Sequence, residues 1–227
     1  MDIKLVALDV DGTLAEPSKP VEKEIVEKVQ NLEDLGVRIV LASGKSTSYL
    51  LGLARGMGIK NPILIGENGC VIFDPVEIRE IKLAERPMEI STIESEVVSQ
   101  FADLIWLQPT QVELTIFPKV KKALPELISC LRESVKPFSE KVVMLEHEDA
   151  IDILPSGIDK GKALAKINKL YGVKRENVIV VGDSSNDIPM FREAMSFLIV
   201  GNKIGYCEGA KRFPTIKEAL DFVKDLI

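Results

Sequence analysis

The sequence predicts an α/β fold, with a doubly wound, Rossmann-like parallel-sheet core and an inserted small α+β cap domain. In the first and last thirds of the chain, apolar strand-like segments alternate with segments of helical periodicity. This alternation is typical of a parallel sheet covered by helices on both faces. Between these stretches, residues 112–117 alternate like a half-exposed antiparallel strand. We therefore expect a core of residues 1–81 and 154–227 and a cap of residues 82–153.

Short apolar segments predict the strands of the core. Each is rich in Val, Ile and Leu, as expected for strands buried on both faces. The segments are residues 4–9, 37–42, 62–65, 178–181 and 197–200. Residues 70–73 follow the turn Glu67-Asn68-Gly69 and predict one arm of a hairpin.

Apolar residues at spacings of three and four predict the helices that connect these strands. The first helix covers residues 21–35 and ends at Gly36, a common helix stop. The last helix begins with the capping box Thr215-Ile216-Lys217-Glu218. The remaining predictions are core helices at residues 49–54, 160–171 and 188–194, and a helix at 120–134 and a strand at 142–145 in the cap.

The composition excludes several classes of partner and site. The net charge is −6 and no run of lysine or arginine is present, so we expect no nucleic-acid partner. No apolar run approaches the roughly 18 residues of a membrane span, and the N-terminus lacks the pattern of a signal peptide. We therefore expect a cytoplasmic protein with no membrane partner, either a monomer or a homodimer. His147 is the only histidine, which excludes a histidine-based triad and a zinc site built from several histidines.

Three polar clusters follow directly after predicted strands, at residues 9–13, 43–45 and 183–187. In an open parallel sheet, loops at the carboxyl ends of the strands line one crevice, where these clusters could converge. Their carboxylates belong to Asp9, Asp11, Asp183 and Asp187. Gathered in one crevice, these groups would raise one another's pKa unless a cation joined them. Hard oxygen ligands of this kind favour magnesium.

Asp9 and Asp11 are two residues apart on an extended chain, so their side chains can face the same side. This spacing suits a pair in which one carboxylate attacks phosphorus and the other transfers protons. Gly12 permits the sharp turn that follows. Thr13 can donate hydrogen bonds to phosphate oxygens.

Other polar residues extend the predicted phosphate site. Ser43 offers a second hydroxyl from a neighbouring strand, and Lys160 can neutralise charge on a transferring phosphoryl group. Gly44 begins the run Gly-Lys-Ser, but a P-loop needs a further glycine five positions earlier, where this chain has Ile39. Lys45 either contacts phosphate or is a surface charge at the start of a helix, and the sequence leaves both interpretations open.

These residues resemble the four motifs of the haloacid dehalogenase superfamily. Residues 9–14, Asp-Val-Asp-Gly-Thr-Leu, resemble its first motif, and Ser43 stands where the second motif has Ser or Thr. Lys160 resembles the third motif, and residues 182–187, Gly-Asp-Ser-Ser-Asn-Asp, resemble the fourth. The insertion between the second and third motifs is similar to that of the subclass with a C2-type cap. Within it the chain is most similar to archaeal-type phosphoglycolate phosphatases.

The resemblance implies a magnesium-dependent phosphatase that forms a transient aspartyl phosphate. It implies that Asp9 is the nucleophile and Asp11 the general acid/base, with Asp11 also binding Mg²⁺ through its main-chain carbonyl. Asp183 would bind the metal, and Asp187 would bind it directly or through water. Metal binding is thus expected of Asp9, Asp11, Asp183 and Asp187, and substrate binding of Thr13, Ser43, Gly44 and Lys160. After the second-motif residue many relatives have Gly-Arg, whereas this chain has Gly44-Lys45.

The expected substrate is a small phosphorylated metabolite, and the short cap favours 2-phosphoglycolate. Sugar phosphates are the alternative, as is a phosphomutase that passes the phosphoryl group to a sugar hydroxyl. A phospho-accepting signalling module also uses aspartate, magnesium, a hydroxyl and a lysine. Such a module is a shorter domain. Its adjacent acidic residues follow the first strand, and its acceptor aspartate follows a different strand. Here the predicted acceptor, Asp9, shares a strand with Asp11, and a cap is predicted as well.

Overall fold

The computed structural model describes residues 2–17 and 19–227. Its strands, in chain order, are β1 (Leu5–Asp9), β2 (Arg38–Ala42), β3 (Ile63–Gly66), β4 (Val71–Asp74), β5 (Arg79–Lys82), β6 (Ile105–Leu107), β7 (Leu114–Pro118), β8 (Val142–Glu146), β9 (Ile151–Pro155), β10 (Val178–Gly182), β11 (Ser196–Val200) and β12 (Lys211–Phe213). Its α-helices are α1 (Lys23–Asp34), α2 (Thr47–Gly56), α3 (Met88–Phe101), α4 (Leu124–Val135), α5 (Lys160–Tyr171), α6 (Ile188–Phe191) and α7 (Ile216–Asp225).

The larger of two sheets has the strand order β12-β11-β10-β1-β2-β3-β4-β5. The strands from β12 to β3 run parallel, and β4 and β5 continue the sheet as an antiparallel edge. The chain leaves β1 for β2 on one side, whereas β10 lies on the other side. The order of the strands therefore switches beside β1, where ligands bind in open α/β sheets. This architecture confirms the predicted fold class.

Helices cover both faces of the larger sheet, and β1 is buried along its whole length. Val6 and Leu8 pack in a cluster with apolar residues of α1 and α7. Leu5 and Ala7 point to the other face and pack with residues of α5. Because successive side chains alternate between faces, a strand covered on both sides must be apolar throughout. This requirement explains the continuous apolar segments of the sequence.

The second sheet has the order β6-β7-β9-β8, and its pairs are all antiparallel. Helices α3 and α4 pack on it through a separate apolar cluster that includes Ile93, Leu131 and Ile153. The expected junction between residues 153 and 154 lies inside β9. Strand β9 therefore carries the chain out of the second sheet and towards α5.

The polar residues of the 112–117 segment are not exposed, so the prediction of a half-exposed strand is wrong there. Glu113 is 0% exposed and Thr115 is 2% exposed. Glu113 accepts a hydrogen bond from the Asn68 side chain at 3.0 Å, in the turn after β3. The polar face of this segment is therefore buried against the larger sheet rather than hydrated.

The helices differ from the predictions mainly at their ends. The helix predicted at 120–134 is preceded by a 3-10 turn and becomes an α-helix at Leu124, because Pro125 suits the first turn of a helix. Helix α6 is shorter than predicted. Helix α3 was not predicted, although Ile90, Ile93 and Val97 recur at helical spacing and are buried. Among the described residues, no helix has both the length and the apolar character that a bilayer crossing requires.

Candidate active site

The carboxyl ends of the central parallel strands meet at a cavity of about 290 Å³. Six of the eight predicted site residues line it: Asp9, Asp11, Ser43, Gly44, Lys160 and Asp183. The other two, Thr13 and Asp187, are buried and hydrogen-bonded to members of this set. The structure thus brings the four polar motifs of the sequence together at one edge of the sheet.

Asp9 ends β1 and is only 4% exposed. Its Oδ1 accepts a hydrogen bond from Lys160 Nζ at 2.7 Å. Its Oδ2 is buried and has no hydrogen-bond partner in the described part of the chain. Burial and the charge of Asp187 raise the pKa of Asp9 to about 7, although Lys160 opposes this rise. A buried carboxylate oxygen without a partner is costly, so Oδ2 is available to a cation or an electrophile.

Lys160 begins α5 and joins two carboxylates from different strands. Its Nζ lies 2.7 Å from Asp9 Oδ1 and 2.7 Å from Asp187 Oδ1. Burial alone would lower the pKa of Lys160, but the charges of Asp187 and Asp9 raise it above its usual range. Gly69 lets the start of α5 approach closely, because a Cβ there would lie 2.8 Å from the Lys160 backbone nitrogen. The lysine is therefore a charged and firmly placed group.

Asp187 follows β10 and is completely buried. Besides Lys160, it binds the backbone of its own loop, since Oδ2 accepts hydrogen bonds from the N–H groups of Asp183 and Ser184, both at 3.1 Å. Gly182 makes this possible, because a Cβ at that position would lie 2.6 Å from Asp187 Oδ2. Both oxygens of Asp187 are thus already engaged within the protein.

Asp183 is 2% exposed and lies between a hydroxyl and an ammonium group. Thr13 Oγ1 donates to its Oδ1 at 3.4 Å, so the Thr13 hydroxyl is directed at this carboxylate. Lys203 Nζ lies 2.8 Å from its Oδ2. Gly12 has a φ of +93°, and a Cβ there would lie 2.2 Å from Asp183 Oδ2. The turn after β1 therefore needs glycine both for its backbone angle and for its contact with Asp183.

Three of the predicted metal-binding carboxylates form a compact cluster. One oxygen from each of Asp9, Asp183 and Asp187 lies within 4.8 Å of the other two. All three residues are buried, and Oδ2 of Asp9 lacks a partner among the described residues. An all-oxygen donor set with concentrated negative charge fits Mg²⁺. The side chain of Asp11 is not part of this cluster.

Asp11 lines the cavity and is more accessible than Asp9, with a side chain 31% exposed. Lys45 Nζ lies 3.8 Å from its Oδ2 and 4.8 Å from the centre of the Phe117 ring. Asp11, which is expected to transfer protons, and Lys45, for which the sequence left both interpretations open, therefore both line the cavity. In this structure Lys45 pairs with a carboxylate and an aromatic ring.

Ser43 and Gly44 follow β2 and form part of the cavity wall. The Ser43 hydroxyl accepts a hydrogen bond from the Lys45 N–H at 3.1 Å. A Cβ on Gly44 would lie 3.0 Å from Asn68 Nδ2 and 3.0 Å from Asp152 Oδ2. The absence of a side chain at Gly44 therefore lets the second sheet approach the larger one at this point.

The second sheet supplies cavity residues that the sequence did not reveal. Asp152 lies in β9, and His147 precedes that strand; His147 Nε2 is 3.0 Å from Asp152 Oδ2. This hydrogen bond raises the pKa of His147, although burial opposes the rise. Asn68 Nδ2 donates to the same Asp152 oxygen at 2.7 Å. Of these three residues, only Asn68 stands in a recognisable sequence pattern, an Asn-Gly pair typical of a turn. Its φ is +50°.

Comparisons with known proteins relate this chain to phosphatases. The family model described as Sucrose-6F-phosphate phosphohydrolase matches residues 3–212. A phosphoglycolate phosphatase of Thermoplasma volcanium is 30% identical over 193 residues, covering 83% of this chain and 81% of that protein. A 5-amino-6-(5-phospho-D-ribitylamino)uracil phosphatase of Bacillus subtilis is 27% identical over 244 residues, covering 99% and 91%.

The fold is also similar to that of solved structures. A haloacid dehalogenase-like hydrolase from Bacteroides thetaiotaomicron superposes with a TM-score of 0.81 at 20% sequence identity. The superposition covers 97% of this chain and 99% of that one. The similarity therefore includes the second sheet as well as the larger one.

Proposed function

This chain belongs to the phosphatases of the haloacid dehalogenase superfamily, and we propose that it hydrolyses a small phosphorylated metabolite with Asp9 as the nucleophile. One observation carries this proposal. Lys160 holds Oδ1 of Asp9 at 2.7 Å, whereas Oδ2 is buried without a partner in the described part of the chain. Oδ2 is thus an oriented carboxyl oxygen at the end of β1 with no competing hydrogen bond, as a nucleophile requires.

The proposed reaction has two displacements at phosphorus. In the first, Asp9 Oδ2 bonds to phosphorus while the ester P–O bond breaks, and Asp11 gives its proton to the departing alkoxide. In the second, Asp11 takes a proton from a water molecule that attacks phosphorus, and the bond to Oδ2 breaks to release inorganic phosphate. Asp11 suits the acid/base role, because it lines the cavity and is more accessible than Asp9.

The carboxylates of Asp9 and Asp183 are proposed to hold Mg²⁺, together with the main-chain carbonyl of Asp11. When bound there, the ion would offset negative charge on the phosphoryl group. Asp187 has both oxygens engaged by Lys160 and by backbone N–H groups. We therefore propose that it orients Lys160 and meets the metal through water.

The remaining polar groups are proposed to bind the phosphoryl group. Lys160 would neutralise its charge, and Ser43 and the Gly44 backbone would contact its oxygens. Thr13 is directed at Asp183, so its hydroxyl would position that carboxylate. We keep residues 82–153 as the proposed cap, since Thr115, Phe117 and His147 from this segment line the cavity.

Two substrates are candidates. The small cavity and the phosphoglycolate phosphatases among the relatives support 2-phosphoglycolate. The ribitylamino-substituted phosphate in the name of the Bacillus subtilis relative supports a polyol or sugar phosphate. A phosphomutase would use the same aspartyl phosphate and would transfer it to a sugar hydroxyl instead of water.

A comparison of Asp9→Asn with Asp34→Asn tests the nucleophile. Asp9→Asn keeps the side-chain shape and removes the attacking oxyanion, so phosphate release with Mg²⁺ should fall by several orders of magnitude. Asp34→Asn changes a surface residue that pairs with Lys60, and its activity should match that of the original protein. Near-normal turnover by folded Asp9→Asn would refute the covalent route. Full activity in excess chelator would refute the metal site.

A further inference from the structure

The part of the cavity wall that comes from the second sheet is rich in hydrogen-bond acceptors. Its acidic members are Glu146, Glu148, Asp149 and Asp152. His147 is its one basic side chain among the described residues, and it is already hydrogen-bonded to Asp152. A substrate held by its phosphoryl group at Asp9 therefore shares the cavity with these carboxylates.

Each lysine of the cavity lies within 4 Å of a carboxylate. All three lie outside residues 82–153. Lys160 pairs with Asp9, Lys203 pairs with Asp183, and Lys45 lies 3.8 Å from Asp11. Within the described part of the chain, no lysine or arginine of residues 82–153 lines the cavity. A second anionic group on the substrate would thus compete with a carboxylate for any lysine of the cavity.

Asp152 is the acidic residue that is built into this wall. It is 3% exposed, and its Oδ2 is fixed by Asn68 Nδ2 at 2.7 Å and His147 Nε2 at 3.0 Å. Asn68 is held in turn by Glu113, at 3.0 Å. The Asp152 carboxylate therefore has one orientation, set by partners from both sheets.

The other oxygen of Asp152, Oδ1, is buried and has no hydrogen-bond partner among the described residues. A buried carboxylate oxygen normally accepts hydrogen bonds, because its desolvation is otherwise uncompensated. Asp152 lines the cavity, so a donor that reaches this oxygen from the cavity would satisfy it. A hydroxyl supplies such a donor without adding charge, whereas a carboxylate would add repulsion.

We infer that Asp152 is a specificity-determining residue whose Oδ1 accepts a hydrogen bond from a hydroxyl of a polyol or sugar phosphate. Substrates with a second anionic group, such as 2-phosphoglycolate, are correspondingly disfavoured. This inference rests on the proposed function, since the phosphoryl group must first be placed at Asp9. Within that function it selects the second substrate candidate.

Matched esters that differ in one group test the inference. At two carbons these are 2-hydroxyethyl phosphate, 2-phosphoglycolate and 2-aminoethyl phosphate, which end in a hydroxyl, a carboxylate and an ammonium group. Glycerol 3-phosphate with 3-phosphoglycerate, and ribitol 5-phosphate with 5-phosphoribonate, extend the comparison to longer substrates. For each, kcat/KM is measured with Mg²⁺. At one length or more, the hydroxyl ester should be preferred over the acid at least tenfold.

The variant Asp152→Asn tests the residue itself. The ratio of kcat/KM for the hydroxyl ester to that for the acid should fall at least tenfold, because the amide is neutral and presents an N–H donor. Both esters are measured on one sample, so a loss of active protein cancels in the ratio. Asp103→Asn changes an exposed aspartate that does not line the cavity, and its ratio should equal that of the original protein.

Several outcomes would overturn the inference. One is that at no length is the hydroxyl ester preferred at least tenfold over the acid. A preference for the ammonium ester over 2-hydroxyethyl phosphate would also overturn it, and neither result needs a variant. Another is an unchanged ratio in Asp152→Asn. If no phosphate ester at all is hydrolysed with Mg²⁺, the proposed function fails and the inference fails with it.

Discussion

Lys160 and the glycines beside it determine how closely the acidic residues of this site can lie. The Lys160 ammonium contacts both Asp9 and Asp187 at 2.7 Å and so offsets part of their mutual repulsion. Gly12 and Gly182 each face a carboxylate at a distance that a Cβ could not occupy. At the scale of single residues, the site thus depends on one buried cation and on the absence of two side chains.

Substitution of Gly12 should separate backbone strain from steric contact. Gly12→Ala adds a Cβ 2.2 Å from Asp183 Oδ2 at a φ of +93°, whereas Gly36→Ala adds one in open space at a φ of +90°. Gly36→Ala should lower the free energy of unfolding by about 1–2 kcal/mol, because a left-handed backbone disfavours alanine. Gly12→Ala should lower it by more, because its Cβ also overlaps Asp183 Oδ2.

Only Gly12→Ala should also reduce kcat/KM, by tenfold or more, because Asp183 is displaced. Urea unfolding and phosphate release measure the two effects. Equal activity of the two variants would contradict the assigned contact between Gly12 and Asp183.

At the scale of elements, Asp74 at the end of β4 connects the edge of the larger sheet to α5. Its carboxylate accepts hydrogen bonds from the hydroxyl of Tyr171, the last residue of α5, and from the N–H groups of Val76 and Glu77. Arg38 of β2 lies 4.6 Å from the centre of the Tyr171 ring. One carboxylate thus stabilises a tight turn and anchors the end of a helix.

The pH dependence of stability should reveal this connection. Burial would raise the pKa of Asp74, but the hydrogen bonds from Tyr171, Glu77 and Val76 lower it below its usual value. Because the folded-state pKa is the lower one, the carboxylate stabilises the fold above about pH 4, and this contribution is lost as the pH falls through the folded-state pKa.

Asp74→Asn should therefore lower the free energy of unfolding by about 1–3 kcal/mol at pH 7 and by less at pH 3. Tyr171→Phe, which removes one donor of three, should have a smaller effect at pH 7. Urea unfolding at several pH values provides the measurement. A destabilisation by Asp74→Asn that is constant from pH 7 to pH 3 would contradict the assignment.

At the scale of the whole molecule, the turn after β3 joins the two sheets. The Glu67 carboxylate is completely buried and accepts hydrogen bonds from the N–H groups of Gln111, Val112 and Glu113, at 2.8–3.2 Å. The next residue, Asn68, binds Asp152 of the second sheet. The position of the second sheet over the cavity thus depends on two consecutive polar side chains.

Glu67→Gln should loosen this connection. The amide replaces one acceptor oxygen with a donor, so a buried N–H loses its partner at a cost of about 1–3 kcal/mol. Glu80→Gln is the matched control, because Glu80 is exposed and accepts one hydrogen bond from the Gln111 side chain; its effect should stay within about 0.5 kcal/mol. Hydrogen exchange of residues 111–113 should accelerate only in Glu67→Gln. Equal exchange in both variants would contradict the role of Glu67.

Local patterns in the sequence predicted the fold class and the main members of the site. Strands buried on both faces need continuous apolar segments, and parallel strands bring their carboxyl ends together. Asp9 and Asp183 were therefore recognisable from the apolar segments that precede them. The metal, the nucleophile and the substrate stay predictions, since they concern reactivity rather than packing.

The contacts around Asp152 are determined by the tertiary structure alone. Asn68 donates hydrogen bonds to Glu113 and to Asp152, although 45 and 84 positions separate it from them. No local periodicity encodes such a pairing, and in residues 112–117 the alternation that predicted hydration was misleading. A buried polar face and an exposed one have the same sequence pattern, and only the packing of the second sheet against the β3 turn determines that Glu113 and Thr115 lie inside.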